Sequence, residues 1–250
     1  MSTEPAPHRV LDVGTLRAVL LVGGKGTRLR PYTATFPKPL VPLGDRPILE
    51  ILVRRLQRSG IEHIVLAIGH LGELVQAYFT HRPDLLAQMD LSYVHEDEPL
   101  GTAGAVSLVP GLNETFLVMN GDVLTDLSFT DLVEFHRRSG ALLTIATHRR
   151  VVNIDLGVLE LDDGDKVVGY VEKPSYDHHV SMGVYVFEPT VLDYMEPGAY
   201  LDFPDLVLRL LADDCHVAAY VTDALWLDIG RPDDYAAAQD LIASDPEAFR

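Results

Sequence analysis

The chain has 250 residues, 47% of them hydrophobic and 23% charged, with a formal net charge of −17 and a single cysteine, Cys215. That length accommodates one large α/β domain or two small ones. The acidity argues against a nucleic-acid surface, and one cysteine excludes an internal disulfide framework, in keeping with a reducing cytoplasm. No apolar run approaches the ~18 residues of a membrane span. The opening MSTEPAPHRVLDVG lacks the basic-then-apolar layout of a signal peptide. Residues 1–15 are therefore expected as a flexible tail ahead of one domain over 16–250.

In chain order, Leu16 to Val22 reads as a buried strand. Ile48, Leu49, Leu52, Val53 and Leu56 follow helical spacing, with Gly60 as the stop. Strand His63 to Ile68, a helix around Leu71 to Phe79 and strand Leu91 to His95 come next. A short helix at Ala103 to Leu108 and strand Thr115 to Met119 complete the first half. This alternation predicts a mostly parallel, doubly wound α/β sheet. Ligands of such sheets collect at the carboxyl ends of strands. Beyond it, Leu142 to Thr147, Leu156 to Leu161, Val167 to Val171 and Ser181 to Phe187 read as strands, with DDGD at 162–165 as a hairpin turn. Helices are expected near Phe203 to Leu211 and Asp233 to Ser244. No linker or repeat divides the halves, so the later strands are read as a mixed β extension of the same domain. His178 and His179 lack a third ligand at sensible spacing and read as an exposed loop, and Trp226 reads as packing beside Asp228.

The chemistry concentrates in LVGGKGTRLRP, residues 21–31. A glycine-rich turn with cations after a strand suits phosphate. It is not a Walker loop, which needs four residues between its first glycine and Gly-Lys and a Ser or Thr after the lysine. It is not a dinucleotide fingerprint either, because Leu29 stands where the third glycine belongs. After six intervening residues, Lys38 lies between Pro37 and Pro39, whose rings stiffen the backbone that aims it. Alone, each stretch also suits a glycine-rich or proline-rich surface turn. The chain has only four lysines, Lys25, Lys38, Lys166 and Lys173, against sixteen arginines. Three of the four sit beside glycine or proline in these settings, where a compact, mobile ammonium has a use.

LVGGKGTRLRPYTATFPKPLVPL at 21–43 resembles the signature of the sugar-1-phosphate nucleotidyltransferases, also called nucleotide-sugar pyrophosphorylases. EDEPLGTAGAV at 96–106, NGD at 120–122, VEKP at 171–174 and WLDIGRPDDY at 226–235 agree in order, so the resemblance spans roughly residues 16 to 240. EPLGTAGA is most similar to the mannose-1-phosphate and heptose-1-phosphate guanylyltransferases. The resemblance implies a Rossmann-like, mostly parallel sheet flanked by helices, with a mixed β sugar-binding extension. It implies joining of a nucleoside triphosphate to a hexose or heptose 1-phosphate, release of pyrophosphate, and use of Mg²⁺. No hexapeptide-repeat β-helix is expected after WLDIG. A cytoplasmic location, no nucleic-acid or membrane partner, and a possible homo-oligomer complete the expectation.

Residue by residue, the resemblance implies that Leu21, Gly23, Gly24, Gly26 and Thr27 wrap the nucleotide, with Lys25 and Arg28 on its triphosphate and Lys38 near the reacting centre. Cations placed where pyrophosphate charge develops stabilise the transition state more than the ground state. Asp122 and Asp228 are the implied metal carboxylates, hard oxygen ligands suited to Mg²⁺. Glu96, Gly101 and Thr102 would hold the nucleoside. Gly121, Gly157, Glu172, Lys173 and Ser181 would serve the sugar phosphate, with Lys173 also on its phosphate. Ser181 departs from the family, where asparagine is usual, and has a shorter reach. An ionised Glu96 accepts only, which suits the adjacent N1–H and 2-amino donors of guanine and favours GTP. UTP, dTTP or CTP, or a catalytically silent nucleotide-sugar-binding regulator, remain as alternatives.

Overall fold

The computed structural model describes residues 16–245 and Phe249. The expected tail over 1–15 lies outside the described residues. The first apolar run forms strand β1 (Arg17–Leu21), whose Ala18, Val19 and Leu20 are fully buried, as a strand covered on both faces must be. A glycine-rich loop and two short 3₁₀ turns follow, then the two-residue pair β2 (Pro42–Leu43) and β3 (Arg46–Pro47). Helix α1 (Ile48–Arg58) buries the apolar positions that its spacing predicts. Its Glu50 is also buried and accepts from Arg54, Arg82 and Tyr78.

Strand β4 (His63–Ile68), helices α2 (Gly72–Thr80) and α3 (Pro83–Leu86) and strand β5 (Asp90–His95) come next. The helix expected at 103–108 is divided into a short α4 (Gly101–Gly104) and a 3₁₀ turn over Ala105–Leu108. Strands β6 (Phe116–Asn120) and β7 (Val123–Thr125) lead to helix α5 (Phe129–Ser139), which the sequence reading did not anticipate. The Ser128 hydroxyl caps α5 by accepting from the Asp131 N–H at 3.2 Å, and Gly140 closes it with φ 64.

Strand β8 (Leu143–Asn153) and strand β11 (Ser175–Phe187) run longer than expected and enclose the hairpin β9 (Gly157–Leu161) and β10 (Val167–Glu172). His178 and His179 therefore lie in β11, paired with β8, and not in a loop. The added length is mostly exposed, its Val151, Val152 and Tyr176 included, so no buried alternating face marked it as strand. The DDGD turn is as predicted, with the Asp162 carboxylate accepting from the Gly164 and Lys166 N–H groups at 2.9 and 3.0 Å. Helix α6 (Phe203–Ala212), strands β12 (Val217–Thr222) and β13 (Trp226–Asp228) and helix α7 (Pro232–Ser244) complete the chain.

Seven strands form one sheet in the order β12-β8-β11-β6-β1-β4-β5. All pairings are parallel except those of β11, which runs antiparallel to both neighbours. Alternating side chains feed opposite faces. Ala18 and Leu20 of β1 join a core with α1, α2 and α5, whereas Val19 joins one with α6. A third cluster packs α1 and the β7–β13 pair against Tyr235 and Ala238 of α7. The layered α/β architecture and its mostly parallel sheet are those expected. Because β1 and β6 pair in register with Leu21 opposite Asn120, their following loops emerge side by side at the carboxyl edge.

Candidate active site

A cleft of about 430 Å³ opens at that edge. Its floor is the loop after β1. Gly23 lies against the Glu96 carboxylate, which a Cβ there would push aside. The Thr33 hydroxyl donates to the Gly26 carbonyl at 2.6 Å, and the Leu29 N–H donates to the same oxygen at 3.0 Å. These bonds hold the turn so that Lys25, Thr27 and Arg28 face the cleft, exposed. The following KPL segment forms a buried 3₁₀ turn, so Lys38 rises from a rigid base. Its Nζ donates to Asp122 Oδ2 in a partly buried ion pair.

Asp122 follows the close of β6, where the Gly121 N–H donates to the Leu21 carbonyl at 2.9 Å and locks the NGD turn onto β1. The second aspartate arrives from the far end of the chain. Strand β13 pairs antiparallel with β7, placing Asp228 opposite Val123, and the Ile229 N–H donates to the Asp122 carbonyl at 3.1 Å. Asp228 is open to the cleft on one side, yet protein crowds its carboxyl. This desolvation and the charge of Asp122 raise its pKa, against the opposing pull of Lys38 and Arg28. Two like charges set side by side in this way favour a cation between them. Among the described residues no group of three or more His, Cys, Asp or Glu side chains is placed to hold a metal. Two carboxylates nonetheless fit Mg²⁺, which keeps several waters and takes its remaining ligands from substrate phosphates.

At the other end, Glu96 continues the line of β5 through its N–H to the Ile68 carbonyl at 2.8 Å. Burial raises its carboxyl pKa, opposed by a bond from the Leu100 N–H at 3.1 Å. Gly101 has φ 76, and a Cβ there would lie 2.6 Å from the Leu201 carbonyl oxygen. Sequence reasoning missed the group that fixes this loop. Asp202 Oδ1 accepts from the Thr102 N–H at 3.1 Å and from its hydroxyl at 3.3 Å, while Thr102 Oγ1 accepts from the Phe203 N–H at 2.9 Å. Asn120, Pro99, Ala105 and Gly230 also line the cleft and were not anticipated. Asn120 was legible as the first residue of NGD.

The structure thus brings Leu21, Gly23, Gly24, Lys25, Gly26, Thr27, Arg28, Lys38, Glu96, Gly101, Thr102, Gly121, Asp122 and Asp228 around one cavity. Gly157, Glu172, Lys173 and Ser181 do not line it. Gly157 and Glu172 are paired at the root of the β9–β10 hairpin, where the Tyr170 hydroxyl lies over Gly157 and donates to Glu172 at 2.7 Å. Lys173 follows with φ 47, a left-handed backbone uncommon for a residue with a side chain. The Ser181 hydroxyl is engaged locally, donating to the Tyr185 hydroxyl at 3.1 Å and accepting from the Gly183 N–H at 3.3 Å.

The nucleotidyl transferase family description matches residues 17–245. The chain belongs to that family. Mannose-1-phosphate guanylyltransferase of Mycobacterium tuberculosis is 38% identical over 233 residues, covering 90% of this chain and 64% of that protein. UTP–glucose-1-phosphate uridylyltransferase of Synechocystis is 35% identical over 240 residues, covering 88% and 61%. The chain therefore spans less than two thirds of either relative's length. Among solved structures, HddC from Yersinia pseudotuberculosis, complexed with GMP-PN, superposes with a TM-score of 0.69 at 25% identity, covering 91% of this chain and 99% of that one. Family membership accounts for the Rossmann-like sheet and for the order of the motifs around the cleft.

Proposed function

We propose that the chain is a sugar-1-phosphate nucleotidyltransferase that takes GTP and a hexose or heptose 1-phosphate, forms the GDP-sugar and releases pyrophosphate. The observation that carries this reading is the convergence of Lys25, Arg28 and Lys38 with Asp122 and Asp228 around one cleft at the carboxyl edge of the sheet. In it, Lys25 and Arg28 hold the β- and γ-phosphates, with the loop N–H groups wrapping them. Lys38 reaches the α-phosphate and, through its ion pair, aims Asp122. Asp122 and Asp228 together hold Mg²⁺. The bound metal supplies charge neutralisation between two phosphates that repel each other.

A sugar-phosphate oxygen attacks the α-phosphorus in line, and the bond to the pyrophosphate oxygen breaks. Phosphate monoesters lose their second proton near about pH 6, so the nucleophile is already ionised and needs no general base. Lys25 and Arg28 meet the negative charge that grows on the departing pyrophosphate, the electrostatic stabilisation that dominates phosphoryl transfer. Lys173 and Glu172 bring the acceptor from the hairpin root, Lys173 on the phosphate and Glu172 on hydroxyls, with Gly157 opposite Glu172, Ser181 farther along β11 and Asn120 available at the rim. Glu96, as a carboxylate, accepts from the two adjacent donors of guanine. The guanylyltransferase relative and the GMP-PN complex of the structural neighbour support that choice.

UTP is the second reading, favoured by the uridylyltransferase relative at 35% identity. A silent regulatory homologue has less support, because Lys25, Arg28, Lys38, Asp122 and Asp228 are all present and line one cleft. Among the described residues no helix is long and apolar enough to cross a membrane, and a cytoplasmic enzyme is the location that fits the single cysteine. The test is pyrophosphate release with Mg²⁺ over a grid of nucleoside triphosphates and sugar 1-phosphates. Release with GTP and one hexose or heptose 1-phosphate is expected. Release with UTP or dTTP alone would overturn the base assignment, and no release from any pair would overturn the enzyme.

A further inference from the structure

Of the two lysines at the cleft, one is already engaged. Lys38 rises from the 3₁₀ turn that follows Pro37 and is 9% exposed. The glycine-rich loop encloses its stem: a Cβ on Gly26 would lie 3.0 Å from Lys38 Cβ and 3.2 Å from Thr33 Cγ2. From that seat Nζ donates to Asp122 Oδ2, 84 residues along the chain. Lys25 and Arg28 are exposed and join no ion pair among the described residues.

The two aspartates differ in the same respect. Asp122 has Oδ2 committed to Lys38, whereas the Asp228 carboxylate accepts no hydrogen bond from the described residues. The charge of Lys38 nevertheless acts on Asp228 as well. One resident ammonium therefore offsets half the charge of the carboxylate pair. Mg²⁺ bonds oxygen at about 2.0–2.1 Å, so a cation on this pair stands close to an ammonium bonded to the same carboxylate. Protein walls make that repulsion stronger than it is in water. Lys38 opposes the metal while Asp122 is its only anionic partner. A nucleotide phosphate changes the balance, because its oxygens give the ammonium a second anion and give the metal further ligands. Metal and nucleotide then strengthen each other's binding, and the coupling is reciprocal.

We propose that Lys38 holds down the affinity of the Asp122–Asp228 pair for a divalent cation until a nucleotide phosphate shares its charge, so that metal and nucleotide bind cooperatively. The role rests on the reading of the cleft as a nucleotide and metal site. It differs from that of a lysine serving the α-phosphate alone, whose removal would leave the metal affinity of the nucleotide-free chain unchanged.

The test is Mn²⁺ binding to the full, nucleotide-free chain, read from the electron paramagnetic resonance signal of free Mn²⁺. Lys38→Met keeps the apolar stem and removes the charge. It is expected to bind Mn²⁺ at least about tenfold more tightly than the unaltered chain, ~1.4 kcal/mol. Lys38→Gln is expected to act in the same direction and decides the matter if the methionine variant fails to fold. Lys38→Arg keeps the charge and is expected to stay near the unaltered value. Lys25→Met is expected to have a smaller effect, because water and salt screen an exposed ammonium. Unchanged or weaker Mn²⁺ binding by the neutral Lys38 variants would overturn the proposal. So would an equal gain from Lys25→Met, or no binding by any variant at millimolar Mn²⁺. In a second arm, equilibrium dialysis gives the ratio of GTP affinity in Mg²⁺ to that in EDTA. Lys38→Met is expected to lower this ratio at least tenfold, since the Mg²⁺–GTP complex formed in solution is common to both chains and cancels. An undiminished ratio would overturn the cooperativity. Failure of the unaltered chain to bind GTP would contradict the nucleotide reading, and the Mn²⁺ comparison would still decide whether Lys38 opposes the metal.

Discussion

Asp122 makes two commitments at once, accepting from Lys38 Nζ through its carboxylate and from the Ile229 N–H through its carbonyl. Only the first depends on charge. Asp122→Asn keeps the size and the backbone bond, so the fold is expected to survive while turnover falls by more than about 100-fold, as for loss of a central transition-state contact. Steady-state kinetics beside circular dichroism check this, and an active variant would mean that the metal site is misplaced. Lys173 offers a complementary case. Its left-handed backbone costs about 1–2 kcal/mol for a residue with a Cβ. Asp165 and Asp214 share that conformation in exposed turns, so what sets Lys173 apart is its place beside Glu172 at the hairpin root. Lys173→Gly removes both strain and ammonium. The melting temperature is expected not to fall, whereas KM for the sugar phosphate rises.

Elements bring the remaining parts of the cleft together. The single turn of α4 that begins at Gly101 and Thr102 is held by the N-terminus of α6 through Asp202. Asp202→Ala hands the exposed Thr102 donors to water, a loss of about 0.5–1.5 kcal/mol per hydrogen bond. KM for the nucleotide is expected to rise with kcat largely kept, and Asp202→Asn, which retains an acceptor, to recover part of the affinity. A fall in kcat alone would contradict this positioning role. The same contacts explain what the sequence could disclose. Glycines, lysines and aspartates of the cleft fall in short motifs whose chemistry is local, so they were legible. Asp202 was not, because its partner Thr102 lies 100 residues away. Strands β7 and β13 have three residues each and exist through each other, which no local pattern announces. Helix α5 was readable, since Phe129, Leu132, Val133 and His136 follow helical spacing and are all buried. The arms of β8 and β11 were unreadable for the opposite reason, because they stay exposed among the described residues.

At the scale of the whole molecule, stability and chemistry sit at opposite ends of the sheet. Opposite the cleft, buried His136 joins α5 to the sheet. Its Nδ1 meets Thr144 Oγ1 at 2.8 Å and its Nε2 meets Glu188 Oε1 at 3.0 Å. Burial lowers the imidazole pKa from 6.5, although Glu188 pulls it back up. A histidine whose folded pKa lies below its unfolded value stabilises the fold above the unfolded pKa, and this contribution is lost as pH falls through the window below it. The melting temperature is expected to drop from about pH 7.5 to about pH 5, and His136→Gln to flatten that part of the slope. An unchanged slope would contradict the burial of a neutral ring. At the cleft, the central claim is that a sugar-phosphate oxygen attacks the α-phosphorus of the nucleotide and pyrophosphate leaves. The most direct measurement uses a sugar 1-phosphate carrying ¹⁸O in its terminal phosphate oxygens, with GTP and Mg²⁺, read by mass spectrometry. The account predicts label in the oxygen that bridges the two phosphorus atoms of the GDP-sugar and none in the pyrophosphate. Label in the pyrophosphate, or GTP cleaved with no labelled nucleotide-sugar formed, would contradict it.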